Sequence, residues 1–340
     1  MSDYLWDRSG PPDPEVEQLE RTLRVLRQPM PPPALQVPAH RPAPKRTFTF
    51  FALLAAEAAM VAVLAGAAWS ARVTRLTPRF EITRLEGTPT IESRPVDTGH
   101  ELGVGRWLET DANARASVDV ADIGRVEIEP KSRLGLLTSK RGDYRMHLAR
   151  GTMRAVIWAP PGQFSVETPS ATAVDLGCAY VLTVDDDDVG TVRVTSGWVG
   201  FEWKGRESFI PAGAVCLTRP DVGPGTPHFE DSSPAFRAAL DVIDLGRGTR
   251  AETIAAIDRV LADAQPRDGF TLWHLLTRVD VDQRDRVFDR LAQFVPPPPG
   301  VTRDGIRAGR REMLDAWWDA LGLGTASWWR TWKAPVDGVK

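Results

Sequence analysis

The sequence predicts an α+β multidomain protein, in which an all-β domain, sandwich or solenoid-like, follows one transmembrane helix and precedes a small all-α domain. Three observations predict it. One apolar stretch of membrane-crossing length, Phe48–Trp69, interrupts the chain. From about Phe80 to about Thr218, apolar and polar residues alternate at the strand period of two. After Pro227 the apolar spacing returns to the helical period. The implied divisions are an arm at 1–28, a proline-rich linker at 29–47, the membrane segment at 48–70, the β domain at 78–220 and the helical domain at 230–333.

In the arm, Asp13 offers an N-cap acceptor and Pro14 suits the first helical position. Glu15 and Glu17 match the positive end of the helix dipole; Arg24 and Arg27 match its negative end. Val16, Leu19, Leu23 and Leu26 form one apolar stripe, with Trp6 just ahead of it. A lone helix of this length is marginal in water, so the stripe needs cover. A cytoplasmic protein docked on Trp6, Val16, Leu19, Leu23 and Leu26 is one reading; the membrane surface is the other. Pro29–Arg46 is an extended, semi-rigid spacer.

The membrane segment carries one charge, Glu57, and aromatic residues at both ends (Phe48, Phe50, Phe51 and Trp69). A buried soluble helix or a cleaved signal peptide fits its length and flanks less well. Both flanks are basic, but the short arm holds Arg8, Arg21, Arg24, Arg27, Arg41, Lys45 and Arg46. The expected topology therefore has a cytoplasmic N-terminus, with the C-terminal domains across the membrane.

In the β domain the alternating runs are Val118/Val120, Val126/Ile128, Leu134/Leu136, Tyr144/Met146/Leu148 and Phe164/Val166, then Val174 through Val184, Val192/Val194 and Val199/Phe201/Trp203. Gly, Pro and Asp clusters punctuate them, as many short strands require. Asp185–Asp188 reads as a solvated hairpin turn. Cys178 is in phase with the buried face of its run, whereas Cys216 is out of phase with Val215 and Leu217, and a disulfide between them is left open.

In the helical domain, Ser233-Pro234 starts one helix, and Thr249 with Glu252 makes a capping box for the next. Leu272/Leu275/Leu276/Val279 and Val287/Phe288/Leu291/Phe294 form further stripes. Thr302 is expected to cap one long last helix carrying Met313, Leu314, Trp317 and Leu321. Four or five helices in a small bundle are expected. Trp317, Trp328, Trp329 and Trp332 gather near the end. They read either as a ligand-stacking or interface surface or as cover for the bundle.

Composition narrows the function classes. The 340 residues are 42% hydrophobic with a net charge of −3, so no basic face favours direct contact with nucleic acid. The five histidines are scattered, and neither a nucleophile elbow nor a phosphate loop is present. No catalytic residue, metal or cofactor is expected.

Several pieces, in order, resemble a family. They are Gly105-Arg106-Trp107-Leu108-Glu109-Thr110, Arg115-Ala116-Ser117-Val118, Val126 through Leu134, Leu148-Ala149-Arg150-Gly151, Phe164 through Pro169, Gly177 through Val181 and Val192 through Val199. Together they resemble the FecR domain of membrane sigma-factor regulators. Cys178 stands where the family has Thr, and Ser196 where it has Glu. The resemblance implies a β domain outside a bacterial inner membrane, in the periplasm, one membrane helix and a cytoplasmic segment, here 1–28, that contacts a sigma factor. The alternative is an envelope scaffold whose residues 78–333 grip a protein or glycan.

Overall fold

The computed structural model describes residues 14–24 and 78–324. The chain divides into two compact units, 1–70 and 71–340. The expected membrane segment at 48–70, the linker, Trp6, Leu26, Trp328, Trp329 and Trp332 lie outside the described residues. Among the described residues no helix is long and apolar enough to cross a membrane.

In the first unit, α1 (Pro14–Leu23) begins at the expected proline, with Glu15 and Glu17 in its first turn and Arg21 in its last.

The second unit opens with short strands: β1 (Glu81–Glu86), β2 (Thr90–Ile91), β3 (Arg94–Pro95), β4 (His100–Glu101) and β5 (Trp107–Glu109). Longer ones follow: β6 (Arg115–Val120), β7 (Gly124–Ile128), β8 (Arg133–Lys140), β9 (Asp143–Ile157), β10 (Phe164–Glu167), β11 (Thr172–Asp175), β12 (Ala179–Val184) and β13 (Gly190–Ser196). The last are β14 (Trp198–Trp203), β15 (Arg206–Pro211), β16 (Ala214–Arg219), β17 (Gly223–Pro224) and β18 (His228–Phe229).

They form two layers. One runs β4-β1-β6-β7-β9-β12-β13-β16, ending on β17 and β18, and is antiparallel throughout. The other runs β3-β2-β5-β8-β9-β10-β11-β14-β15, with β9 and β10 parallel. Strand β9 belongs to both: its first half pairs with β8 and β10, its second with β7 and β12. The bend falls at Gly151, at φ +87°. A Cβ there would lie 2.2 Å from Ser132 Oγ, so only glycine fits this crossing.

The alternation read from the sequence sets the core. Val118, Val120, Val126, Ile128, Leu134, Met146 and Leu148 are fully buried, and the inward faces of both layers join one apolar cluster. One run is corrected. The stretch from Val174 to Val184 is two strands in different layers, β11 and β12, broken at Leu176–Cys178. Gly177 takes φ +82°, and the Asp175 carboxylate accepts its N–H. Val174, Leu176, Cys178 and Tyr180 all stay buried across the break, so the alternation hides it. Asp185–Asp188 is a turn between β12 and β13, with Asp185 accepting the N–H groups of Asp187 and Val189.

After the strands come α2 (Pro234–Leu245), α3 (Arg250–Asp263), a 3₁₀ turn (Pro266–Asp268), α4 (Gly269–Leu275), α5 (Val281–Phe294), α6 (Arg303–Arg307) and α7 (Arg311–Ala320). Ser233 caps α2, and Thr249 with Glu252 forms a capping box on α3. The long last helix is corrected to two. Thr302 does cap α6, but Gly309, at φ +68°, ends it before α7 begins. Six helices, rather than four or five, follow the strands among the described residues. They share the apolar core of the strands.

Candidate functional site

Three places stand out among the described residues. The first is α1. Its spacing puts Val16, Leu19 and Leu23 on one face. Leu19 is 61% exposed and Leu23 50%, and α1 buries no residue. The stripe leaves apolar area uncovered on an otherwise charged helix.

The second is the seam between strands and helices. Among the described residues, strand β15 pairs with β14 on one side only, so its other edge presents unpaired backbone groups. Helix α4 and the turn after it cover that edge with side chains. Phe209 N–H donates to His274 Nε2 at 3.0 Å, and Arg278 donates to Glu207 O at 2.9 Å. Arg278 also donates to Ser208 Oγ and Thr226 Oγ1, each at 2.7 Å. Asp244, at the end of α2, accepts from Thr226 N–H, from Thr226 Oγ1, from Arg206 at 2.7 Å and from Arg278 at 3.4 Å. The side chains of Asp244 and Arg278 are only 4% and 5% exposed, so each requires the other. Burial and the neighbouring Arg278 hold His274 well below the ordinary imidazole range. The neutral ring donates from Nδ1 to Phe270 O and accepts at Nε2.

Aromatic rings pack the same seam. Trp318 stands edge-on to Trp273 at 4.8 Å, Trp198 at 5.8 Å and Phe209 at 5.9 Å. The reading of Trp317 as a ligand or interface residue is corrected. Trp317 is fully buried, donates from Nε1 to Val295 O and meets Phe288 edge-on, so its ring faces the core. Beside the seam a cavity of about 550 Å³ opens among Lys204, Arg206, Phe209, Trp273, Arg311 and Leu314.

The third place is the crossing at Gly177. Asp175 is 1% exposed, and burial lifts its carboxyl from 3.8 to about 7. Cys178 Sγ donates to Asp175 Oδ2, and burial, then the carboxylate, raises the thiol further from ionisation. The Tyr180 hydroxyl is buried close by, also raised by burial. Cys216 faces inward, fully buried, its thiol pushed up to about 12 by burial. Both cysteines are free, and neither is a reactive thiolate near neutral pH. Among the described residues no group of three or more His, Cys, Asp or Glu side chains could hold a metal ion.

The stripe of α1 was legible in the sequence, but the seam was not. Arg206, Thr226, Asp244 and the pair His274 and Arg278 come from four separate segments, and no spacing connects the segments. The one signal was a histidine inside an apolar helical stripe, beside Leu272, Leu275 and Leu276.

This architecture defines a two-layer β protein with a fused helical cap and two buried polar clusters. Residues 107–200, from β5 into β14, match the model of the FecR protein family, consistent with the FecR-domain resemblance of the sequence. No curated protein matches the chain. Two crystal structures of a candidate anti-sigma factor from Parabacteroides distasonis ATCC 8503, at 1.65 and 2.50 Å resolution, are similar at 14% and 13% identity. The similarity covers 46% and 45% of this chain and 74% and 73% of theirs, with a TM-score of 0.32 for each.

Proposed function

We propose that this chain is a non-catalytic, single-pass regulator of a sigma factor in a bacterial inner membrane. In this reading residues 1–28 lie in the cytoplasm and dock the sigma factor through the α1 stripe. Residues 48–70 cross the bilayer, and the β and helical parts stand in the periplasm, where they receive a signal. The observation that carries it is the FecR match at 107–200. The exposed Leu19 and Leu23 support the docking step, since a helix that buries nothing of its own gains stability only from a partner. The seam supports a binding role for the outer part over catalysis: its buried His274 has both ring nitrogens engaged, and both cysteines are un-ionised.

The test is capture of sigma factors by full-length protein in detergent, against the Leu19→Glu/Leu23→Glu variant. Two buried leucines at an interface contribute about 3–6 kcal/mol, so the variant should lose binding by at least a hundredfold. Failure to capture any sigma factor, with unchanged transcription when residues 1–28 are deleted, refutes the reading.

A further inference from the structure

The cavity beside the seam has a wall that the seam does not use up. Lys204 reaches it from the β14–β15 turn, Arg206 from the first position of β15, Arg278 from the segment after α4, and Arg311 from the first turn of α7. Of the residues that line the cavity Glu207 is the acidic one, and Asp244 stands behind the wall. Asp244 already serves both Arg206 and Arg278. The Lys204 ammonium rests 4.1 Å above the Trp203 ring. The α7 N-terminus also opens here: Gly309 and Arg311 line the cavity, and no side chain caps that helix. Its free N–H groups add partial positive charge to the same space. The floor is apolar, made by Phe209, Trp273 and Leu314, each under a tenth exposed. The volume, about 550 Å³, falls within the range of small-molecule sites.

Cations drawn together from three elements repel one another, and an uncapped helix start adds to the same field. Water offsets that only in part; an anion offsets it directly and gains charge-assisted hydrogen bonds. We infer that this cavity binds a small organic anion, with a carboxylate or phosphate head among Lys204, Arg206 and Arg311 and an apolar body against Trp273 and Leu314. Arg278 and Asp244 hold the wall in place and are structural. An occupant would touch the β14–β15 hairpin and two parts of the helical cap at once. The inference does not depend on the regulatory reading, because its assay contains no sigma factor.

The test is thermal unfolding of the full-length protein with phenyl phosphate or phenylacetate as probe, at fixed ionic strength against sodium chloride. At ten times the dissociation constant, one site raises the midpoint by about 3–6 °C for a unit of this size. A rise with phenyl phosphate assigns a phosphate head, and a rise with phenylacetate a carboxylate head. Either supports the site, provided that Lys204→Glu/Arg311→Glu removes it and Arg141→Glu/Arg247→Glu, at exposed arginines outside the cavity, keeps it. If the first variant does not fold, Lys204→Gln/Arg311→Gln should weaken binding at least tenfold. No rise with either probe overturns the inference, and so does a rise that survives the Lys204/Arg311 substitutions.

Discussion

Replacing Asp175 with asparagine should reshape the stability of this protein between pH 5 and 8. In the unfolded chain the carboxyl ionises near 3.8; in the fold, burial moves it to about 7. Between those values the native state keeps a proton that the unfolded state has lost. Stability therefore falls as pH rises through this window, and the contribution is whole only below the unfolded value. A shift of about 3 units corresponds to about 4 kcal/mol by pH 8. The amide of the Asp175→Asn variant stays neutral and removes this dependence, at a cost of about 1 kcal/mol for a weakened bond to Cys178 Sγ or Gly177 N–H. The histidines act in the opposite sense. Burial lowers His147, His228 and His274, so each favours unfolding as pH falls below the ordinary imidazole value. The useful quantity is thus the difference between wild type and variant, measured by urea titration at each pH. It should fall by about 3 kcal/mol from pH 5 to pH 8, the rest of the effect lying below pH 5, with Asp175→Asn the more stable protein at pH 8. Parallel stability curves would show that Asp175 is not buried as a neutral acid, and the reasoning would fail.

Two further substitutions probe the seam. Trp318→Ala should cost about 3–5 kcal/mol in urea unfolding, because it empties a site packed by Trp198, Phe209 and Trp273, whereas Trp158→Ala, at a residue 66% exposed, should cost under about 1 kcal/mol. Asp244→Ala strands the buried Arg278 guanidinium and should cost about 3–5 kcal/mol, with little relief from added salt, since a buried pair is poorly screened.

Much of the β architecture was legible because the strand period is two and each inward position is apolar. Val118, Val126, Met146 and Leu182 needed no further information to be placed inside. The caps at Ser233 and Thr249 were legible for the same reason, since the hydrogen bond that makes each one spans three residues. Two breaks were not. At Gly177 the chain changes layers while its alternation continues unbroken, because Leu176 and Cys178 face the core on either side of the crossing. At Gly309 the apolar spacing of α7 looks continuous with the capped start at Thr302, and only the left-handed residue separates them. For Trp317 the sequence left both readings open, because an aromatic-rich segment looks alike whether its rings cover a core or face a ligand; its burial selects the cover.

The seam was illegible for a deeper reason. Composition places Arg and Asp at the surface, and here Arg278 and Asp244 are core residues. What makes them so is the edge of β15 that no strand among the described residues pairs. A strand with a neighbour on one side leaves N–H and C=O groups pointing outward, and in this fold those groups are Phe209 N–H and Glu207 O. A further neighbouring strand would satisfy them by backbone pairing, whereas this chain satisfies them with His274 and Arg278 from the helical cap. The cap is therefore the means by which the sheet ends. Removing it would expose an aggregation-prone edge and strand Asp244-bound Arg206 at the same time. That dependence explains why the strands and helices share one core, and why anything that binds between them acts on both.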